Sequence, residues 1–226
     1  DVTHTRVALG PIVRQSLRIL QLTDLHLSWC VPASFIEHAI DAGLARKPDI
    51  VCLTGDFITY ETGVDATVYT GLLRRLTQVC PTFAVLGNHD SGINHPGYRG
   101  ASSHRFVDRI LEDAGVQLLH NRTRAIDVRG QKWNLAGIAD LWSGEVEADR
   151  ALGGTEVGAP VVLLAHNPDS KELVRLFRWD LMLCGHTHGG QVMVPFEGPR
   201  FAPVADRRFI AGLYACGNDM ASIMRG

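Results

Sequence analysis

The sequence predicts an α/β fold, and three observations predict it. Short apolar runs of strand length alternate with segments whose apolar residues recur at helical spacing. Several of these runs end abruptly in a cluster of Gly, Asp, Asn or His. The composition, 46% hydrophobic and 20% charged with no repeat or low-complexity tract, is that of an ordinary globular chain. At 226 residues the chain can bury a substantial core, and it reads as one domain over 1–226.

Each element follows in order. Residues 17–22 (LRILQL) read as a buried strand leading into Thr23 and Asp24. Ser34 and Glu37 form a capping-box pattern ahead of Ile36, Ile40 and Leu44 at helical spacing, and Pro48 breaks that helix. Residues 50–53 are a second buried strand, ending at Gly55 and Asp56. Asp65 caps a helix with the apolar stripe Val68, Leu72, Leu73, Leu76 and Val79. Residues 82–86 form a third strand before Gly87, Asn88, His89 and Asp90. Residues 91–103, rich in Gly, Ser and His, read as an exposed loop. A helix carrying Phe106, Ile110 and Leu111 follows, closed by Gly115. Residues 122–128 and 132–139 pair as a hairpin, and 161–165, 181–184, 191–194 and 209–215 are further strands.

In layered α/β folds, ligands bind beyond the carboxyl ends of strands, so clusters spread over 160 residues can converge. Asp24 and His26, two apart, share one side of an extended turn. Asp56 projects from a strand end that Gly55 allows to turn tightly. Asn88 offers an oxygen without charge, and the neighbouring His89 offers a proton or a hydrogen bond. His166 ends the apolar run VVLLA, and His186 and His188 stand among glycines after LMLC. Singly, most of these are turn or cap residues. Jointly, they place four of the ten histidines at strand ends with carboxylates, and His89 makes a fifth. Nitrogen and oxygen donors without thiolate suit Mn, Fe or Zn better than Mg or Ca. Two such ions about 3.5–4 Å apart clamp an in-line displacement at phosphorus.

These residues, in this order and spacing, resemble the signature of the calcineurin-like metallophosphoesterase superfamily. The stretches 137–142 (GIADLW), 163–169 (LLAHNPD) and 185–191 (GHTHGGQ) are similar to a bacterial branch of it. That branch includes phosphodiesterases and membrane-associated pyrophosphatases acting on UDP-diacylglucosamine. The resemblance implies a four-layer α/β/β/α sandwich of two mixed sheets flanked by helices. It implies that Asp24, His26, Asp56 and His188 hold one metal and that Asp56, Asn88, His166 and His186 hold the other. His89 then stabilises or protonates the leaving group, and Asp90 orients His89. A hydroxide bridging the two ions, Mn first with Fe, Zn or Mg as alternatives, attacks phosphorus. Family members often carry an N-terminal anchor and continue past residues 222–226 into one more strand, and neither feature is visible here.

The substrate expectation is a phosphate-containing small molecule or a lipid-linked one. Arg99 and Arg105, in or beside the loop after His89, are candidates for binding a second phosphate. Trp29, Cys30 and Val31 are expected to wall the metals, and Phe196 to meet a lipid or the core. A net charge of -2 counts against nucleic acid and hence against a nuclease of the same superfamily. A catalytically silent binding module would have lost ligands, and none is missing. Five cysteines without a CxxC spacing read as small buried hydrophobes in a reducing compartment. No apolar run of 18 residues and no signal-peptide pattern occurs, so the expected location is cytoplasmic or peripheral to the inner membrane. The sequence sets no oligomeric state.

Overall fold

The computed structural model describes residues 2–93, 103–190, 193–194, 198–199, 203–216 and 219–223. Arg99 and Phe196 lie outside the described residues. Strand β1 (Ile19–Leu22) is followed by helix α1 (Ala33–Leu44), β2 (Ile50–Thr54), α2 (Ala66–Thr77), β3 (Thr82–Val85), α3 (Arg105–Ala114) and β4 (Gln117–Leu118). The hairpin β5 (Arg122–Val128) and β6 (Gln131–Gly137) comes next, then α4 (Ala148–Leu152), β7 (Val161–Leu164), α5 (Lys171–Val174) and β8 (Leu181–Cys184). A two-residue ladder, β9 (Met193–Val194) with β10 (Gly198–Pro199), precedes β11 (Gly212–Cys216) and β12 (Asp219–Ile223).

The first sheet has the order β1-β2-β3-β4 and the second β11-β12-β8-β7-β6-β5. Among the described residues only the second is mixed: β6, β7, β8 and β12 run parallel, with antiparallel β5 and β11 at its edges. Every described pair of the first sheet is parallel, correcting the expectation of two mixed sheets. Its strands are joined by helical crossovers, which return the chain in the same direction.

Side chains alternate faces along each strand, and the alternation builds the layers. Ile50 and Cys52 of β2 join Val162 and Leu164 of β7 in the core between the sheets. Val51 and Leu53 point the other way, against Ile36 and Ile40 of α1 and Leu73 and Leu76 of α2. Val161 and Leu163 face Leu152 of α4 and Val174 of α5. The result is the four-layer α/β/β/α sandwich. Gln21 stitches the sheets at the site end, donating to Thr54 Oγ1 at 3.0 Å and to the Cys184 carbonyl at 2.8 Å.

Local expectations fared unevenly. Asp65 caps α2 as expected, accepting from the Thr67 and Val68 amides. The capping box does not form, because α1 starts at Ala33 after Pro32, which has no side-chain acceptor, and Ser34 is already inside the helix. Val68 and Val79 are exposed, and Tyr69 is buried instead, with its hydroxyl on the Phe57 carbonyl. The expected strand at 209–215 starts at Gly212, and Phe209 packs on the outer core of the second sheet. The five cysteines form no disulfide among the described residues, and Cys52 and Cys184 are buried, but Cys30 is exposed. No helix among the described residues is long and apolar enough to cross a membrane.

Candidate metal centre

β1, β2 and β3 of the first sheet and β6, β7 and β8 of the second end at one edge of the sandwich. The polar clusters follow these ends directly. The backbone there is strained: among the described residues, five of the eight non-glycine residues with positive φ are Asp24, His26, Asp56, His186 and His188. Left-handed backbone costs on the order of 1 kcal/mol or more per residue and persists where surrounding structure enforces it. Glycine supplies the clearance. A Cβ on Gly185 would overlap Thr23 Oγ1 and Asp24 Oδ2, and one on Gly87 would overlap the Asp56 carboxylate.

Six of the seven expected ligands fall into two groups sharing Asp56. One comprises Asp24, His26, Asp56 and His188, and the other Asp56, His166 and His186. Asn88 joins the second, its Oδ1 lying 3.1 Å from His166 Nε2. Main-chain and hydroxyl partners aim the rings. His166 Nδ1 donates to the Thr54 carbonyl at 2.7 Å, which turns Nε2 inward, 3.3 Å from Asp56 Oδ2. His186 Nε2 donates to the Pro203 carbonyl at 3.0 Å, which turns Nδ1 inward. His26 Nδ1 lies 3.3 Å from the Thr59 hydroxyl, and its Nε2 lies 3.4 Å from Asp56 Oδ2. The inward nitrogens face one another, at 3.1 Å both for His166 with His186 and for His26 with His188. Paired imidazole lone pairs converging on carboxylates need a cation between them, a metal or a proton. The donor set and its aim therefore fit divalent ions.

Charge balance says the same. Burial lowers His26 to about 4 and His186 to about 3, keeping both neutral, as ligands must be. Burial also opposes charge on Asp56 and His166, but their mutual attraction wins. Asp56 is held below the usual carboxylate range and His166 is raised well above the usual imidazole value. That imidazolium supplies the positive charge an ion would bring. Burial raises Asp24, with the nearby Asp56 adding to it.

His89 and Asp90 sit at the centre, with roles the sequence did not assign correctly in full. The His89 amide donates to Asp56 Oδ1 at 3.0 Å, and its ring packs edge-on to His26. Its Nδ1 lies 3.2 Å from the Thr59 carbonyl, so Thr59, not Asp90, orients the ring. Asp90 is occupied elsewhere: its oxygens accept from the amides of Asp56, Phe57, Ile58 and Gly87 and brace two ligand loops together. Arg105 is exposed at the start of α3. Trp29 is 92% exposed and is no wall to the ligands. Trp142 takes that part, its ring edge-on to His186 with centroids 4.7 Å apart. Thr59, Trp142 and Pro203 escaped the sequence reading. The stretch 137–142 held the only signal, for Trp142, since a carbonyl from a distant loop leaves no residue-type mark.

The comparisons with known proteins agree with this geometry. The family model of calcineurin-like phosphoesterases matches residues 17–190, a span that includes all seven expected ligands. The chain belongs to that family. It is thus a metal-dependent phosphoester hydrolase. Phosphodiesterase YaeI of Escherichia coli is 41% identical, over 92% of this chain and 74% of its own. The UDP-2,3-diacylglucosamine pyrophosphatase LpxG of Chlamydia muridarum is 26% identical, over 82% of this chain and 67% of its own. Among solved structures, the NAD nucleotidase NadN of Haemophilus influenzae superposes with a TM-score of 0.55 at 16% identity. That match covers 93% of this chain but 45% of the nucleotidase, and it bears on the fold alone.

Proposed function

We propose that this chain hydrolyses a phosphodiester or pyrophosphate bond at a dinuclear centre, with Mn²⁺ the first candidate and Fe, Zn or Mg the alternatives. The observation that carries the reading is the pair of donor groups sharing Asp56, each with two imidazole nitrogens turned inward. Asp24, His26, Asp56 and His188 would hold one ion, and Asp56, Asn88, His166 and His186 the other. Bound ions there would neutralise phosphate charge and acidify a water for attack.

The chain's own residues do the rest. Asp56 is fixed between the two groups by the His89 amide. The Thr59 carbonyl accepts from His89 Nδ1, which leaves Nε2 as the nitrogen for proton transfer to the leaving oxygen. Asp90 keeps the β2 and β3 loops in register, so that Asp56 and Asn88 stay on the same centre.

A lipid-linked substrate, or association with a membrane surface, draws support from LpxG and from the rim. Trp29 and Tyr60 are 92% and 59% exposed. They stand on the two segments joined by the Leu27–Ile58 bridge, one residue beyond which Thr59 meets His26. The net charge of -2 counts against a nuclease, and the full ligand set against a silent binding module.

Hydrolysis of a chromogenic phosphodiester by metal-free protein, with Mn²⁺ added back, tests the reading. Activity should require metal and fall by about 10²–10³-fold or more in Asp56→Asn. An Asp56→Asn variant that works as well as wild type would overturn it.

A further inference from the structure

Residues 203–210 form neither helix nor strand, yet both ends of this segment meet the loop that carries His186 and His188. At one end the Pro203 carbonyl accepts from His186 Nε2 at 3.0 Å. At the other, the Ile210 carbonyl accepts from the Thr187 hydroxyl at 2.5 Å. The middle is held from a third place. Asp169, three residues beyond His166, accepts from the Ala205 amide at 2.6 Å and the Asp206 amide at 3.2 Å. Lys171 backs this junction, with its ammonium 3.7 Å from Asp169, 3.5 Å from Asp206 and 4.4 Å from the centre of the Phe209 ring. The segment is a strap, and the His166 loop clamps it onto the His186 loop.

The strap matters because of what a carbonyl can do. It only accepts, so Pro203 fixes the proton on His186 Nε2 and leaves the Nδ1 lone pair facing His166 and Asp56. An imidazole without that partner is free to rotate or to change tautomer. Among the described residues, Asp169 holds the strap two and three residues after Pro203, through the Ala205 and Asp206 amides.

We propose that Asp169 is a positioning residue for the buried metal-binding group, acting on His186 through the backbone of residues 203–206. The inference rests on the dinuclear reading above. Outer partners of this kind are worth about 10–100-fold in metal affinity.

Mn²⁺ titration calorimetry of the metal-free protein, with Co²⁺ absorption as a second readout, tests it. Wild type should take up two ions. Asp169→Ala should weaken one binding step by about 10–100-fold, the same step that His186→Ala weakens, and leave the other as in wild type. Asp169→Asn should recover part of the loss, since its amide oxygen still accepts from one of the two strap amides. Thr187→Val releases the other end of the strap without touching Asp169. It should give a smaller loss in the same step, which keeps the inference testable where Asp169→Ala does not fold. Two wild-type steps in Asp169→Ala, or equal weakening of both in proportion to lost thermal stability, would overturn the inference alone. Uptake of fewer than two ions by wild type would overturn the dinuclear reading and this inference with it.

Discussion

His166 and His186 are 1% and 3% exposed, and each hands its outer nitrogen to a main-chain carbonyl. His26 and His188, across Asp56, are only partly buried, and the outer nitrogen of His26 meets the hydroxyl of Thr59. The contrast is one of rigidity. A carbonyl fixes which imidazole nitrogen carries the proton, whereas a hydroxyl both donates and accepts and permits either tautomer. The main chain holds both inner rings in fixed orientations. The outer group lies on the side where His89 packs against His26 and where Trp29 and Tyr60 are exposed. On the dinuclear reading proposed above, one ion would sit in a closed half of the site and the other in an open half beside His89.

The largest effect that sharpens this contrast belongs to His89. His89→Ala should lower turnover by about 10²–10³-fold while metal content, read by elemental analysis, stays at the wild-type level. Loss of metal along with activity would mean that His89 helps to hold metal after all.

The second effect is on pH. His166 is raised well above the usual imidazole value by Asp56 and Asp24 in spite of its burial, so its proton must leave before an ion binds. His26, near 4, and His186, near 3, carry no proton to displace at neutral pH. Below the pKa of His166, affinity for the inner ion should therefore fall by about tenfold per unit of acidification, and the outer step should respond less. Calorimetry at two pH values, in buffers of different ionisation enthalpy, reads both the affinity and the released proton.

Thr59→Val, which keeps the shape and the carbonyl but removes the hydroxyl, should weaken only the outer step, by about tenfold. Equal weakening of both steps would erase the distinction between the halves. The smallest effect lies at the rim. Trp29→Ala should raise KM several-fold for a lipid-linked pyrophosphate and leave kcat and the KM for a small chromogenic diester unchanged. A KM that moves equally for both substrates would separate Trp29 from any apolar part of the substrate.

Much of this candidate site was legible in the sequence because its proposed ligands are announced locally. Asp24, Asp56, Asn88, His166 and His186 each follow an apolar strand by at most three residues, and a glycine precedes three of them. The apolar runs at 50–53 and 161–165 likewise read as strands before any layer was known, and they are β2 and β7. Elements whose ends depend on neighbours were less legible. Tyr69 replaced Val68 on the buried face of α2 because the Phe57 carbonyl offers its hydroxyl a partner. Asp90 looked like the orienter of His89 from adjacency alone, but four backbone amides from two loops claim its oxygens.

The sequence by itself determined the α/β class, the strands that lead into the site and the seven side chains proposed as metal ligands, because residue type and periodicity are local properties. Tertiary structure alone decided the aim of those side chains. The Thr54 carbonyl reaches His166 across 112 residues, Thr59 reaches His26 across 33, and Pro203 reaches His186 from a strap without regular structure. Every residue but proline carries the same amide N–H, and every residue the same carbonyl, so no sequence pattern shows which of them a fold will bring to a ring nitrogen.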